Sequence, residues 1–161
     1  MSDPGPPFQA TDPFDWAALL ALIRRAFAYM EGRIDPPSSL QRLTPDGLAK
    51  AGEVWVVGRP ALACMVLNPE DGRLHLGKLA VEPALQGRGL GRRMMARAEE
   101  RAWELGLSFV RLETRVELAE NHRFYRALGY EEVGRRAHPG FDRPTSVSYE
   151  KRVRGRPDLD T

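Results

Sequence analysis

The sequence predicts a single α/β (α+β) domain, with a mixed, mostly antiparallel sheet of six to seven strands and about four flanking helices. Three observations carry this. Two β-rich runs, 54–57 and 61–67, lead into a third, 73–81, and read as an antiparallel meander. A strongly periodic helix then separates 73–81 from the next strand, 109–113, so those two strands run parallel with a right-handed crossover. The chain has 161 residues, 42% of them hydrophobic, which suits one domain with a sizeable core, and it shows no internal repeat.

In chain order, residues 1–13 hold four prolines and read as a flexible arm, with a short edge strand near Phe8. The domain proper is placed at 14–153. Trp16, Leu19, Leu20, Ile23 and Phe27 recur at helical spacing, so 14–31 is predicted as the first helix. Asp12 or Asp15 can cap it, Gly32 ends it, and Pro36-Pro37 forbid its continuation. Thr44-Pro45-Asp46 opens a short helix to Lys50, with Thr44 as N-cap. Gly58-Arg-Pro60 joins the first two strands, and Asn68-Pro-Glu-Asp-Gly72 is read as the turn before the third. From Leu90, apolar Met94, Met95, Ala98, Ala102 and Leu105 alternate with arginines and glutamates up to Gly106. A helix over 119–128 stops at Gly129, and 130–136 and 146–152 complete the strands. Residues 154–161 are expected to be a disordered tail.

Charge and composition exclude several classes. The 24 basic and 22 acidic residues nearly cancel, so charge gives no reason to expect nucleic-acid binding. No apolar run approaches the length of a membrane span, and no signal-peptide pattern opens the chain, so the expectation is a cytoplasmic protein without a membrane partner. Cys64 sits in an apolar run and reads as a buried thiol. No cysteine/histidine cluster suggests a metal.

Chemistry concentrates after the third strand. Leu76–Val81 is stopped by Pro83, and Gly87, Gly89 and Gly91 then alternate ahead of the long helix. A strand, a glycine-rich turn and a helix N-terminus present backbone N–H groups to phosphate. Arg88, Arg92 and Arg93 add positive charge. Two common phosphate patterns fail here. No Lys-Ser or Lys-Thr follows the glycines, and the third glycine of Gly-x-Gly-x-x-Gly would fall on Arg92 or Met94.

What fits is Gln/Arg-x-x-Gly-x-Gly/Ala, here Gln86, Gly89 and Gly91, preceded by Leu79, Val81 and Pro83. In this segment the chain resembles the GCN5-related N-acetyltransferase (GNAT) superfamily. A second segment is similar to that superfamily's other motif: Phe124, Tyr125, Gly129 and Tyr130 match Phe-Tyr-x-x-x-Gly-Phe/Tyr, with Asn121 four residues before the tyrosine. The resemblance covers roughly 54–136. It implies acetyl-CoA as cosubstrate, with Gln86, Gly87, Arg88, Gly89, Leu90, Gly91 and Arg92 around its pyrophosphate. It also implies a splayed central parallel pair, with the pantetheine arm along Leu79, Ala80 and Val81 and contacted by Asn121 and Phe124. The N–H of Ala80 or Val81 would meet the developing oxyanion. Tyr125 would lie by the thioester sulfur. A phenol of pKa about 10 can protonate a leaving thiolate whose own pKa is about 8.5.

The acceptor is read as an amine of a small molecule or peptide, attacking directly in a ternary complex. Such an amine must lose a proton; His75, Glu113 and Glu31 are the candidate bases, and histidine is the side-chain type most often used for this task near neutral pH. The loop with Tyr29, Glu31 and Arg33 is the candidate acceptor lip. Glu31, Asp35 and Glu113 could attract a cation, whereas Arg33 and Arg111 could attract a carboxylate. His122 and His138 read as surface or loop residues. Two other readings stand beside this one: a non-catalytic acyl-CoA-binding regulatory module, and a nucleic-acid binder using Arg88, Arg92, Arg93 and Arg97. The expected assembly is a monomer or homodimer.

Overall fold

The computed structural model describes residues 3–153, so the tail expected at 154–161 lies outside the described residues. Among the described residues, four α-helices and a seven-stranded mixed sheet are formed, in the strand order β1-β2-β3-β4-β5-β7-β6. The strands are β1 (Phe8–Gln9), β2 (Glu53–Val57), β3 (Ala63–Glu70), β4 (Arg73–Val81), β5 (Phe109–Arg115), β6 (Glu131–Arg136) and β7 (Ser146–Arg152). The helices are α1 (Trp16–Phe27), α2 (Pro45–Ala49), α3 (Leu90–Glu104) and α4 (Ala119–Ala127). Contacts group the chain into two compact units; β3, β4 and α3 each contribute residues to both.

The first unit comprises residues up to Ala28, Ser39–Asn68 and Leu76–Ala98. Its core joins α1 to the sheet: Leu19, Leu20, Leu22 and Ile23 pack with Val54, Val56, Cys64, Val66 and Ala80. The Asp15 carboxylate accepts from the Ala18 N–H and caps α1, while Asp12 accepts from the Trp16 indole N–H at 2.6 Å. The helix is shorter than the sequence predicts. It ends at Phe27 and tightens into a 3-10 turn, Ala28–Met30, before Gly32 takes a left-handed φ of +75°. Thr44 caps α2 as expected, through the Gly47 N–H. β2 and β3 pair antiparallel from Glu53↔Leu67 to Val57↔Ala63.

The turn expected over Asn68–Gly72 is corrected. β3 runs on through Asn68-Pro69-Glu70, and the reversal takes only Asp71 and Gly72, at φ +51° and +76°. Two positive φ values suit the right-handed twist of a tight hairpin. Pro69 is tolerated in the strand because the β2 register stops at Leu67, so no ladder bond on that side needs its N–H.

The second unit comprises Tyr29–Ser38, Pro69–His75 and residues from Glu99 on. Here β4 pairs parallel with β5, Arg73↔Phe109 to His75↔Arg111, as the intervening helix predicts. β7 pairs antiparallel with β5 over seven positions and with β6 on its other side. The Glu150 carboxylate on β7 ties this arrangement together. It is 9% exposed and accepts from Arg73 on β4 at 2.8 Å and Arg111 on β5 at 2.5 Å.

Candidate functional site

The glycine-rich turn keeps its backbone donors free. Gly87 and Gly89 adopt φ of +81° and +88°, a region that side-chain-bearing residues avoid. A Cβ at either position would meet nothing within 4 Å, so these glycines serve backbone conformation and an open approach rather than internal packing. Gly91 lies inside α3. Among the described residues, the N–H groups of Gly87, Arg88 and Gly89 have no hydrogen-bond partner, and the first intrahelical bond is Arg93 N–H to the Gly89 carbonyl. The N–H groups opening α3 are orphaned by helix geometry. A run of unpartnered donors at the positive end of a helix, beside exposed Arg88, suits a diphosphate. Gln86 turns back and donates to the Val81 carbonyl at 3.4 Å. Arg93 is engaged by the N-terminal arm, donating to Asp3 at 2.8 Å and to the Gly5 carbonyl at 3.0 Å.

Leu79, Ala80 and Val81 form the end of β4. Just before them Lys78 takes a left-handed φ of +52° inside the strand. Such a residue kinks a strand locally and interrupts its alternation. Cys64 is fully buried beside this kink and its thiol points at the Lys78 carbonyl. Burial pushes that thiol up to about 12, against a smaller opposing pull from the Ala80 N–H. It is a protonated core group, as its apolar surroundings predict.

In the second unit α4 carries the other motif. The Asn121 amide donates to the Thr114 hydroxyl at 3.2 Å. Phe124 and Tyr125 meet edge to face, with ring centres 5.2 Å apart. Tyr125 is buried, and its ring also contacts Tyr130 and Tyr149 at 6.1 and 6.3 Å. Desolvation drives the Tyr125 phenol well above its ordinary range, and neighbouring Tyr29 adds to the shift. Tyr29, on the candidate acceptor lip, therefore stands close to Tyr125.

The base candidates are placed elsewhere. Cross-strand partners share a sheet face, so Leu112 and Tyr149 lie on the face that packs Tyr125. Glu113 alternates to the other face, along with His75 and its partner Arg111. Glu113 is 3.9 Å from Arg136. Neither base candidate is gathered around Tyr125. Glu31 is exposed on the lip.

The lip itself is tied down by residues that the sequence did not single out. Arg115 donates to the Pro36 carbonyl at 2.7 Å, the Asp35 N–H donates to Glu117 at 3.1 Å, and Arg143 reaches Asp35 at 3.2 Å. Arg33 pairs with Glu120 at 2.9 Å and lies over the Tyr29 ring. That pairing holds the Glu120 carboxyl below its usual range, and desolvation lowers Arg115. Arg33 and Arg111, read as possible carboxylate receptors, are thus already matched by Glu120 and Glu150. His122 corrects its reading as a surface residue: it is half-buried, within 2.6 Å of the Tyr149 hydroxyl and 3.0 Å of the Arg115 carbonyl. His138 is also half-buried, against the Thr145 hydroxyl. The signals lay in pairings distant in sequence, which single-chain periodicity does not reveal. Among the described residues, no group of three or more His, Cys, Asp or Glu is placed to hold a metal, and no helix is long and apolar enough to cross a membrane.

Comparison with known proteins gives a consistent result. The sequence profile described as "Acetyltransferase (GNAT) family" matches residues 16–130. A curated "IAA acetyltransferase" of Azospirillum brasilense is 31% identical over 139 residues, covering 83% of this chain and 90% of that protein. Among solved structures, the PaiA N-acetyltransferase of Thermoplasma acidophilum, in complex with coenzyme A, superposes with a TM-score of 0.74 at 14% identity, covering 94% of this chain and 99% of that one. The ribosomal-protein-S18-alanine N-acetyltransferase of Escherichia coli gives a TM-score of 0.66 at 20% identity, covering 91% and 94%.

Proposed function

Since the chain belongs to the GNAT acetyltransferase family, we propose that it is an acetyl-CoA-dependent N-acetyltransferase, acting on a primary amine of a small molecule or peptide by direct attack in a ternary complex. The observation that carries this reading is the run of unpartnered N–H groups over Gly87–Gly89 at the start of α3, held open by two left-handed glycines. Acetyl-CoA would supply the activated acetyl thioester. The turn from Gln86 to Arg92 would hold its pyrophosphate through backbone donors, with Arg88 and Arg92 adding charge. Leu79–Val81 would pair with the pantetheine arm, which Asn121 and Phe124 would also touch. The Ala80 N–H is drawn toward Cys64. By strand alternation the Val81 N–H points the other way, which makes it the favoured donor to the carbonyl oxygen as charge develops.

Tyr125 is the proposed general acid. Its raised pKa keeps the phenol protonated throughout the physiological range, so the proton is in place when the thiolate departs. His75 and Glu113 lie on the sheet face away from Tyr125, so either would take the proton from the amine through water. Tyr29, Glu31 and Arg33 would border the acceptor. Arg33, Arg111, Asp35 and Glu113 are all paired with opposite charges, which leaves exposed Glu31 to favour a cationic amine.

The test is release of free thiol from acetyl-CoA across a panel of polyamines, amino acids, aminoglycosides and peptide N-termini. Turnover with at least one amine, together with a raised melting temperature in millimolar acetyl-CoA, is expected. Ligand at a hundred times its Kd stabilises by about 2.7 kcal/mol. No melting shift would remove acetyl-CoA from the account. A shift without thiol release from any amine would favour the acyl-CoA-binding regulatory reading.

A further inference from the structure

The candidate acceptor lip meets the start of α4 in a fixed order. Arg115, which closes β5, donates to the Pro36 carbonyl at 2.7 Å and to the Pro37 carbonyl at 3.4 Å. Two residues on, Glu117 accepts from the Asp35 N–H at 3.1 Å. Glu120, in the first turn of α4, pairs with Arg33 at 2.9 Å. Tyr29 then comes close enough to Tyr125 to add to the rise in its pKa. As the lip is followed back from 37 to 29, its partners advance from 115 to 125. The two segments are antiparallel neighbours, and a slip at one contact would shift the others.

The contacts along this line differ in strength. The pairs Arg33–Glu120 and Arg143–Asp35 are largely exposed, and such pairs contribute little. Pro36 and Pro37 have no N–H to give, so this stretch is held through its carbonyls, by donors from elsewhere. The Arg115 guanidinium supplies them. It is half-buried, and desolvation lowers its pKa against the opposing pull of Glu117 and Asp35. A charged donor shielded from water makes the stronger kind of hydrogen bond. The same residue holds α4 through its backbone: its carbonyl accepts from the Leu118 N–H at 3.2 Å and from the His122 ring at 3.0 Å. It is itself fixed by pairing with Ser146 of β7. One residue thus grips the lip with its side chain and the start of α4 with its carbonyl.

We propose that Arg115 is a positioning residue for the acceptor: it sets the register of the lip along α4, and so the placement of Tyr29 beside Tyr125. It acts through the lip rather than on the reacting atoms. Its loss should therefore weaken use of the amine and leave the grip on acetyl-CoA alone. The role in acceptor binding rests on the acetyltransferase reading; the grip on the lip does not.

The test measures amide hydrogen exchange and amine kinetics on the same samples of the full chain. Arg115→Ala should speed exchange of the lip amides, Asp35 foremost, by about tenfold and raise the KM for the amine about tenfold, with acetyl-CoA affinity changed less than about twofold. Arg115→Lys keeps the charge but not the planar fork that reaches two carbonyls, so each effect should shrink to about threefold. Arg143→Ala, which removes an exposed pair from the same lip, should change either quantity by less than about twofold. If Arg115→Ala does not fold, the lysine variant carries the same comparison. Unchanged exchange in the folded Arg115 variants would overturn the grip whether or not the protein turns over acetyl-CoA. Faster exchange with an unchanged amine KM, in a protein that acetylates amines, would overturn the positioning role. So would a loss of acetyl-CoA affinity as large as the rise in amine KM, because that marks general disruption. A wild type that acetylates no amine would refute the acetyltransferase reading and the acceptor role with it, and exchange alone would then decide the grip.

Discussion

Glu150→Ala takes a carboxylate out from beneath two arginines. The Glu150 side chain is 9% exposed, and its Oε2 accepts from Arg73 at 2.8 Å and from Arg111 at 2.5 Å, bracing the parallel start of β4 against β5 and β7. A charge-assisted hydrogen bond contributes about 1.5–3 kcal/mol when its partners are shielded. Here the arginines are 38% and 34% exposed and can regain water once the carboxylate is gone. Discounting for that solvation leaves a loss of about 2 kcal/mol for the pair of bonds together. At roughly 2–4 °C per kcal/mol for a chain of this size, the melting temperature should fall by about 4–8 °C. Glu150→Gln keeps the shape and one acceptor, and should lose about half as much. Thermal melts followed by circular dichroism, at low and high salt, measure this. The salt dependence should be weak because the acceptor is buried. A drop below about 1 °C for Glu150→Ala would refute the claim that this carboxylate braces the sheet.

Two further outcomes follow from the loop and the core. Gly89→Ala places a side chain at φ +88° in open space, so its cost is backbone strain of about 1–2 kcal/mol, and acetyl-CoA binding measured by calorimetry should weaken at least about tenfold. Gly91→Ala, inside α3, should instead be neutral or stabilising in the same melts, and an equal loss at both positions would contradict the distinction between them. Cys64 should resist alkylation in the native protein at pH 8 and react once denaturant is added; rapid native labelling would contradict its burial. Because burial raises its folded pKa to about 12, from about 9.0 for an exposed thiol, the thiol favours folding below pH 9 and loses that contribution as pH rises toward 12. Cys64→Ala should accordingly flatten the alkaline decline in stability.

Much of this was legible in the chain because it is local. The spacing of Leu19, Leu20 and Ile23 gave α1, Thr44 and Pro45 gave the start of α2, and a helix between two strands required the parallel β4–β5 pair. The left-handed turn at Gly87 and Gly89 follows from residue type. Other features depend on partners far away in sequence. The tight Asp71-Gly72 reversal was hidden because Pro69 looked like a turn former, and only the β2 register shows that it can sit in a strand. His122 looked superficial because neither Tyr149 nor the Arg115 carbonyl is predictable as its partner from helical periodicity. Arg33 and Arg111 looked like free cations until Glu120 and Glu150 were placed against them. The kink at Lys78 has no signal in its residue type, since a lysine ordinarily avoids positive φ.

The most direct measurement compares wild type and Tyr125→Phe side by side, counting thiol released per amine acetylated while measuring acetyl-CoA affinity on the same samples. A phenol that serves as general acid should leave affinity within about twofold when its hydroxyl is removed, while turnover falls by about a hundredfold or more. Equal turnover in the two proteins, or a wild type that releases no thiol with any amine, would contradict the central claim.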